Sequence, residues 1–175
     1  LNDQLRGFYL SKTKERNYAV TQFEPTDARW AFPSFDEPAL KATFDIQLVI
    51  DQGDTAISNG RIIKDELDRP RPGKHTLTFS TTPRMSTYLV ALGVGDFKCV
   101  EGSADGIPIL ICSTPDKYEL GQVALQSAEH ILHFYNQYYS IKYPYGKLDV
   151  VASPDFSAGA MENTADIVYR EVLLL

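Results

Sequence analysis

Residues 43–50 read TFDIQLVI, a stretch in which polar and apolar side chains alternate. Such alternation predicts a strand that buries one face against a core. Residues 75–79, HTLTF, alternate in the same way. The residues that favour turns, chiefly glycine, proline, aspartate and asparagine, are concentrated between such stretches at 51–54, 58–60 and 69–73. Several short strands separated by turn signals indicate an antiparallel β-saddle or sandwich over the first part of the chain.

Further along the chain, one apolar run and a hairpin precede the first helical signals. Residues 87–94, TYLVALGV, form a nearly continuous apolar run, which predicts one strand covered on both faces. A hairpin over 98–100 and 107–112 is expected to follow. Thr114 and Pro115 then predict the start of a long helix, as its N-cap and its first helical residue. One face of this helix has helical apolar spacing and is expected to be buried: Leu120, Val123, Ala124, Ser127, Ile131, Phe134 and Tyr138.

The two parts of the chain differ in character, and short strands at 147–152 and 167–169 make the second part an α/β region. The predicted fold class is therefore mainly β with an α/β C-terminal part. We place the boundary near residue 98, which divides the chain into two expected domains. Residues 1–98 would form the β-saddle, and residues 99–175 would form the start of the second domain.

The composition narrows the class of protein. Hydrophobic residues make up 43% of the 175 residues, which is enough apolar surface for a core and excludes a disordered chain. The net charge of −6 argues against nucleic acid as a partner. No apolar run approaches the roughly 20 residues that span a bilayer, so no membrane segment is predicted in this chain. The sequence leaves both a cytoplasmic and a secreted or periplasmic location open.

Neither the cysteines nor the histidines have the spacing of a metal-binding site. Cys99 and Cys112 lack C-x-x-C spacing, and we expect them to be buried free thiols. His130 and His133 are three residues apart, with Glu129 in front of them. A zinc-binding helical pair needs histidines four residues apart, with glutamate directly after the first. We therefore expect ordinary helix-surface or interface histidines, and neither a catalytic residue nor a metal site in this chain.

The strongest functional signal is the sequence GAMEN at residues 159–163. Its glycine and alanine would let another backbone approach closely, and its glutamate places a carboxylate beside that backbone. Distinctive sequences flank it: YPYGKLDVV at 143–151, PDF at 154–156 and YRE at 169–171. Further distinctive sequences lie upstream: TQFEPTDAR at 21–29, FPSFDEP at 32–38, STYLVA at 86–91 and GDF at 95–97.

These segments together resemble the zinc aminopeptidases of the M1 (gluzincin) family, of the aminopeptidase N type, in the right order over nearly the whole chain. The resemblance implies a β-saddle followed by the first part of a thermolysin-like domain. It also implies a peptidase that uses zinc to remove N-terminal residues from peptides. Two positions depart from the family pattern: Ser34 stands where cysteine is frequent, and Thr164-Ala165 stands where Trp-Gly is frequent.

The resemblance implies a place where the substrate N-terminus binds. A free α-ammonium is best held by several acceptors, because charge-assisted hydrogen bonds are roughly twice as strong as neutral ones. Gln22 would supply a neutral carbonyl acceptor, while Glu24 and Glu162 would supply negative charge. The backbone of residues 159–161 would pair with the substrate as an added strand. The predicted substrate-binding set is Gln22, Glu24, Gly159, Ala160, Met161, Glu162 and Asn163.

The His-Glu-x-x-His sequence that binds zinc in this family is absent from the chain. The zinc ligands, the glutamate that activates water and the tyrosine that stabilises the oxyanion would lie beyond Leu175. We therefore expect a piece of a longer aminopeptidase that is inactive alone. Its partners would be peptides with a free N-terminus and the remainder of the catalytic domain.

Two other functions fit part of the pattern. A bifunctional epoxide hydrolase–aminopeptidase typically has glycine where Ala160 stands, so Ala160 favours a plain aminopeptidase. A noncatalytic M1-like scaffold need not keep the acceptors Gln22, Glu24 and Glu162, so their presence favours the enzyme. A His-Glu-x-x-His sequence later in the full-length protein would distinguish enzyme from scaffold.

Overall fold

The computed structural model describes residues 1–175 and contains twelve strands and two α-helices. The strands are β1 Gly7–Lys12, β2 Asn17–Gln22, β3 Gln47–Asp51, β4 Thr55–Ser58, β5 Ile62–Leu67, β6 Lys74–Phe79, β7 Leu92–Gly95, β8 Lys98–Ala104, β9 Ile107–Ser113, β10 Leu148–Ser153, β11 Ala160–Met161 and β12 Asp166–Arg170. The helices are α1 Gln122–Tyr138 and α2 Glu171–Leu174, and 3₁₀ turns cover Ala28–Trp30, Thr87–Leu89 and Tyr118–Gly121. No helix has both the length and the apolar character that crossing a bilayer requires.

The strands form three sheets. Two are antiparallel, with strand orders β1-β2-β7-β4 and β3-β6-β5. The third has the order β11-β12-β10-β9-β8, and its strands β9, β10 and β12 run parallel. The helix α1 connects β9 to β10 and packs on this mixed sheet, as a crossover between parallel strands requires. The predicted fold class, mainly β with an α/β C-terminal part, is confirmed.

Alternation predicted the three-stranded sheet well. The strand β6 covers the predicted residues 75–79, and its Leu77 and Phe79 are buried against Ile50. The strand predicted at 43–50 begins only at Gln47. Residues 43–46 lie outside the strand. There the Thr82 hydroxyl accepts from the Phe44 amide at 2.9 Å, so a side chain takes the place of one ladder hydrogen bond.

The prediction of one strand over residues 87–94 is wrong. A 3₁₀ turn occupies Thr87–Leu89, and β7 begins at Leu92. Buried polar groups cause the bend: the Thr87 hydroxyl donates to the Asp36 carboxylate at 2.6 Å, and the Ala91 amide donates to the Asn59 side chain at 2.9 Å. Apolar composition alone does not reveal such contacts, because their partners lie far away in the sequence.

The helix prediction is correct in existence but wrong in its start and its buried face. Residues from Thr114 to Gly121 form turns, with the Lys117 amide donating to the Thr114 carbonyl, and α1 begins at Gln122. The buried residues of α1 are Leu125 and Leu132, which pack on β9 and β10. Several residues of the predicted face are largely exposed instead: Leu120, Val123, Ile131, Phe134 and Tyr138. The helix is apolar on two sides, and periodicity does not say which side meets the sheet.

The expectation of free thiols is also wrong. Cys99 and Cys112 form a disulfide, with their Cα atoms 4.1 Å apart. They are directly opposed in the antiparallel hairpin of β8 and β9. Direct opposition brings side chains within bonding distance, and it depends on the hairpin register, which spacing along the sequence does not specify.

One shared core fixes the four-stranded sheet against the mixed sheet. Tyr9 and Tyr18 from the first sheet pack with Cys112 and Val151 from the second. The Tyr9 hydroxyl also donates to the Asp155 carbonyl at 2.7 Å, next to the GAMEN segment. The C-terminal end of β2, which carries Gln22, is thereby held beside the edge strand β11.

Gly95 lies so close to the Tyr18 ring that even a methyl side chain at this position would clash with it. A Cβ atom at Gly95 would lie 2.2 Å from the Tyr18 ring, whereas one at Gly93 would lie 3.7 Å from its nearest neighbour. Gly95→Ala should therefore lower the free energy of unfolding by about 1–3 kcal/mol, as overpacked cores do. Gly93→Ala, on the same strand, should change it by less than about 1 kcal/mol. Urea denaturation of both variants measures the difference, and equal stabilities would contradict the packing described.

Candidate functional site

The GAMEN segment forms an open edge of the mixed sheet. Its strand β11 pairs with β12 on one side only, so its other edge has no partner strand. The Arg170 amide donates to the Gly159 carbonyl at 2.9 Å. The Arg170 guanidinium also binds three carbonyls of the preceding loop, those of Phe156, Ser157 and Ala158. These hydrogen bonds tie the loop before β11 to Arg170 at the end of β12.

Exposure varies sharply within the five GAMEN residues. Gly159, Ala160 and Glu162 are exposed. Met161 is 1% exposed and packs with the core, and Asn163 is 2% exposed. The Asn163 side chain donates to the Val90 carbonyl at 3.3 Å. Main-chain groups and the Glu162 carboxylate are therefore what this segment offers to a ligand.

The structure brings Gln22 to the GAMEN segment. Its side-chain amide nitrogen donates to the Met161 sulfur at 3.6 Å. The carbonyl oxygen of the same amide is buried without a partner, which leaves an acceptor free in this region. An unpaired buried acceptor costs free energy, because the group has lost its hydrogen bonds to water.

The two predicted carboxylates are exposed. Glu24 lies two residues after Gln22, at a cis peptide bond to Pro25. Neither Glu24 nor Glu162 forms a salt bridge with a basic side chain of the chain. No hydrogen bond joins the side chains of Gln22, Glu24 and Glu162 directly, and the contact between the two segments passes through Met161.

The backbone after Glu162 is held by a residue that sequence reasoning missed. The side-chain nitrogen of Asn59 donates to the Thr164 carbonyl at 2.8 Å and to the Leu89 carbonyl at 2.9 Å. The sequence showed Asn59 only as part of a Ser-Asn-Gly turn. Its burial, at 4% exposure, is the signal of a different role, and burial is not evident from the sequence.

A buried charged cluster lies beside the turn at residues 164–165, which follows Glu162. The Lys147 ammonium donates to the Asp149 carboxylate and to the Ala165 carbonyl. Burial raises the pKa of Asp166 to about 7, with opposing attraction from Lys147 and added repulsion from Asp149. Burial also raises the pKa of Asp149, although Lys147 lies against it. Burial of this cluster favours the protonated carboxyl groups.

At Thr164-Ala165, where the sequence departs from the family pattern, the backbone adopts a left-handed conformation. Both residues are buried, and Ala165 has a φ of 61°. Glycine adopts this left-handed conformation without cost, whereas alanine loses about 1 kcal/mol there. The turn that follows Glu162 is therefore held in a conformation that its own sequence disfavours.

No three histidine, cysteine, aspartate or glutamate side chains lie close enough together to hold a metal ion. His133 is exposed on α1 and is paired with Asp105 at 2.8 Å, and both cysteines are in the disulfide.

Comparisons with known proteins identify the family of this chain. The model of the peptidase M1 N-terminal domain matches residues 1–89, and that of the peptidase family M1 domain matches residues 123–175. The whole chain is 44% identical to the puromycin-sensitive aminopeptidase of Caenorhabditis elegans and covers 19% of its length. It is 46% identical, again over its whole length, to the alanine/arginine aminopeptidase of Saccharomyces cerevisiae and to endoplasmic reticulum aminopeptidase 2 of Bos taurus, covering 21% and 19% of them.

The chain thus spans about a fifth of the length of these curated relatives. Its first family match includes Gln22 and Glu24, and its second includes the complete GAMEN segment. The chain belongs to peptidase family M1.

Proposed function

We propose that the longer protein containing this chain is a zinc aminopeptidase that removes N-terminal residues from peptides, and that this chain recognises the substrate N-terminus. The contact between Gln22 and Met161 is the observation that carries the proposal. It joins the two separate segments that would hold the ammonium. The similar proteins reported above are aminopeptidases by name, which supports the same activity.

The ammonium would be bound by one neutral and two charged acceptors. The carbonyl oxygen of the Gln22 side chain has no hydrogen-bond partner within the chain, and the Glu24 and Glu162 carboxylates form no salt bridge. An α-amino group has a reference pKa near 8 and is largely protonated at neutral pH. Charge-assisted hydrogen bonds to carboxylates therefore favour a free N-terminus over a blocked one.

The substrate main chain would add to the free edge of β11. The exposed Gly159 and Ala160 carry no side chain larger than a methyl group, so an extended peptide can approach closely. Main-chain hydrogen bonds of this kind supply affinity without selecting a particular side chain. The Asn163 side chain, which is turned towards Val90, would support this edge and not contact the peptide.

The remainder of the catalytic domain would pack on the exposed face of α1. A groove of about 650 Å³ lies between this face and the mixed sheet, lined mostly by hydrophobic side chains that include Val123, Ile131 and Tyr135. Apolar patches of this kind mark interaction surfaces. The chain spans about a fifth of the length of its relatives, so the continuation of the family M1 domain is the occupant we propose. We also propose that the first domain covers residues 1–98 and the second begins at 99.

Activity measurements on two lengths of protein test the proposal. The full-length protein should hydrolyse an aminoacyl-anilide, lose this activity to a zinc chelator and regain it with added zinc. The chain of 175 residues, freed of metal contamination, should show no turnover. Turnover by the isolated chain would disprove the assignment of the zinc chemistry to other parts of the protein, and an inactive full-length protein with bound zinc would disprove the peptidase activity.

A further inference from the structure

We propose that Asn59 is a positioning residue for the substrate N-terminus: it fixes the backbone that carries Glu162 relative to the strand that carries Gln22. This inference rests on the proposed function. It concerns a residue outside the GAMEN and TQFEP segments, in the connection that follows β4.

All the side-chain hydrogen bonds of Asn59 are with main-chain groups. Its side-chain nitrogen uses both protons, on the carbonyls of Leu89 and Thr164, and its side-chain oxygen accepts from the Ala91 amide. The side chain is 4% exposed. Asparagine suits this place because one amide offers two donors and an acceptor in a single plane.

The bond to Thr164 connects distant parts of the chain. Residues 59 and 164 are 105 positions apart, and Thr164 follows Glu162 by two residues. The intervening Asn163 donates to the Val90 carbonyl, so residues 89–91 hold Asn163 directly and Thr164 through Asn59. On the other side, the Ala165 carbonyl accepts from the Asp149 amide at 3.0 Å. The Glu162 carboxylate has no partner of its own, so its position follows from this backbone.

The same segment also holds the Gln22 side of the site. The Leu92 amide donates to the hydroxyl of Thr21, the neighbour of Gln22, at 2.9 Å. Residues 89–92 therefore contact the Asn163 side chain on one side of the site and the Thr21 side chain, next to Gln22, on the other. Asn59 binds this segment twice and the turn once, so it sets the separation of Gln22 and Glu162.

Substitution of Asn59 should therefore change ligand selectivity, not only stability. In Asn59→Asp an oxygen replaces the donating nitrogen and faces the carbonyls of Leu89 and Thr164, which repel it. The turn would move away from residues 89–91 and carry Glu162 with it. Precise placement matters because hydrogen bonds weaken steeply with poor geometry.

The experiment uses the full-length enzyme and a nonhydrolysable tripeptide analogue with a reduced scissile bond, either with a free N-terminus or N-acetylated. Calorimetry gives the two dissociation constants, and their ratio, acetylated over free, is the amine selectivity. Asn59→Asp should lower the amine selectivity about fivefold to tenfold. In a Glu162→Gln background it should lower it by less than about twofold, because the group that it positions is gone.

A matched control separates positioning from stability. Ser58→Ala removes a buried bond to the Ala91 carbonyl, 2.8 Å long, and leaves the Thr164 bond in place. It should lower the melting temperature without changing the amine selectivity. If Asn59→Asp does not fold, Asn59→Ser decides, since a single hydroxyl cannot bridge both carbonyls. Unchanged selectivity in whichever variant folds overturns the inference, whereas a wild-type enzyme without amine selectivity overturns the proposed function itself.

Discussion

Replacing Glu162 with glutamine in the full-length enzyme is expected to weaken binding of free-amine ligands by about 10- to 100-fold, while N-acetylated ligands bind as before. Glutamine keeps the shape and one acceptor but removes the negative charge. A hydrogen bond to a charged group contributes about 1.5–3 kcal/mol, which corresponds to this loss of affinity. The effect is large because Glu162 forms no salt bridge within the chain, so its charge is available to the ligand.

The amine selectivity measures this expectation directly. Glu101→Gln is the control, because Glu101 is an exposed glutamate on β8, at the opposite edge of the same sheet. The selectivity of the wild type should also fall as pH rises past about 8, where the ligand amine loses its proton. Equal losses for free and acetylated ligands in Glu162→Gln would count against ammonium binding, since a general disturbance of the cleft affects both.

Replacing Lys147 with methionine is expected to lower the free energy of unfolding by about 3–5 kcal/mol, the usual result when one partner of a buried ion pair is removed. Lys147, Asp149 and Asp166 are 7%, 6% and 1% exposed. Without the ammonium, two carboxyl groups would share a dry site. One oxygen of each aspartate already lacks a hydrogen-bond partner, so the cluster has no second donor to compensate.

The loss should depend on pH in a defined direction. Burial raises the pKa of Asp166 to about 7. A carboxyl group whose pKa is raised by folding favours the folded state at low pH, and this contribution disappears as pH rises through the folded value. Both proteins should therefore be less stable at pH 8 than at pH 5, and Lys147→Met should show the steeper decline. Asp166→Asn should reduce the pH dependence.

Denaturation by urea at the two pH values provides the measurement. Lys64→Met is the control, because Lys64 pairs with Glu66 at 3.0 Å but is 61% exposed. Exposed pairs contribute less than about 1 kcal/mol. A loss for Lys147→Met no larger than that of the control would show that the cluster is hydrated and does not behave as a buried ion pair.

The sequence and its family resemblance predicted which residues form the candidate site, but not the contacts that join them. The GAMEN motif and its flanking sequences indicated Glu162 and the open main chain of Gly159 and Ala160, because the type and order of these residues are visible. The contact of Gln22 with Met161 needed the fold, since it joins strands of two sheets. Asn59 could not be recognised, because its partners are main-chain atoms that leave no trace in residue types.

The fold was likewise predicted correctly in some elements and wrongly in others. Period-two alternation found β6 and the β-rich first part, because one face of those strands is buried. Helical spacing did not identify the buried face of α1, because two sides of this helix are apolar, and its packed residues Leu125 and Leu132 were not among those expected. Cysteine spacing did not reveal the disulfide of Cys99 and Cys112, because that bond depends on the hairpin register.

The brevity of β11 limits what an N-terminal peptide can gain from this edge. The strand has two residues, so a peptide added to it would form only a few main-chain hydrogen bonds. Each such bond contributes about 0.5–1.5 kcal/mol net, and association costs several kcal/mol in lost freedom. Under the proposed function, a product shortened by one residue would gain equally little from this edge and would dissociate readily.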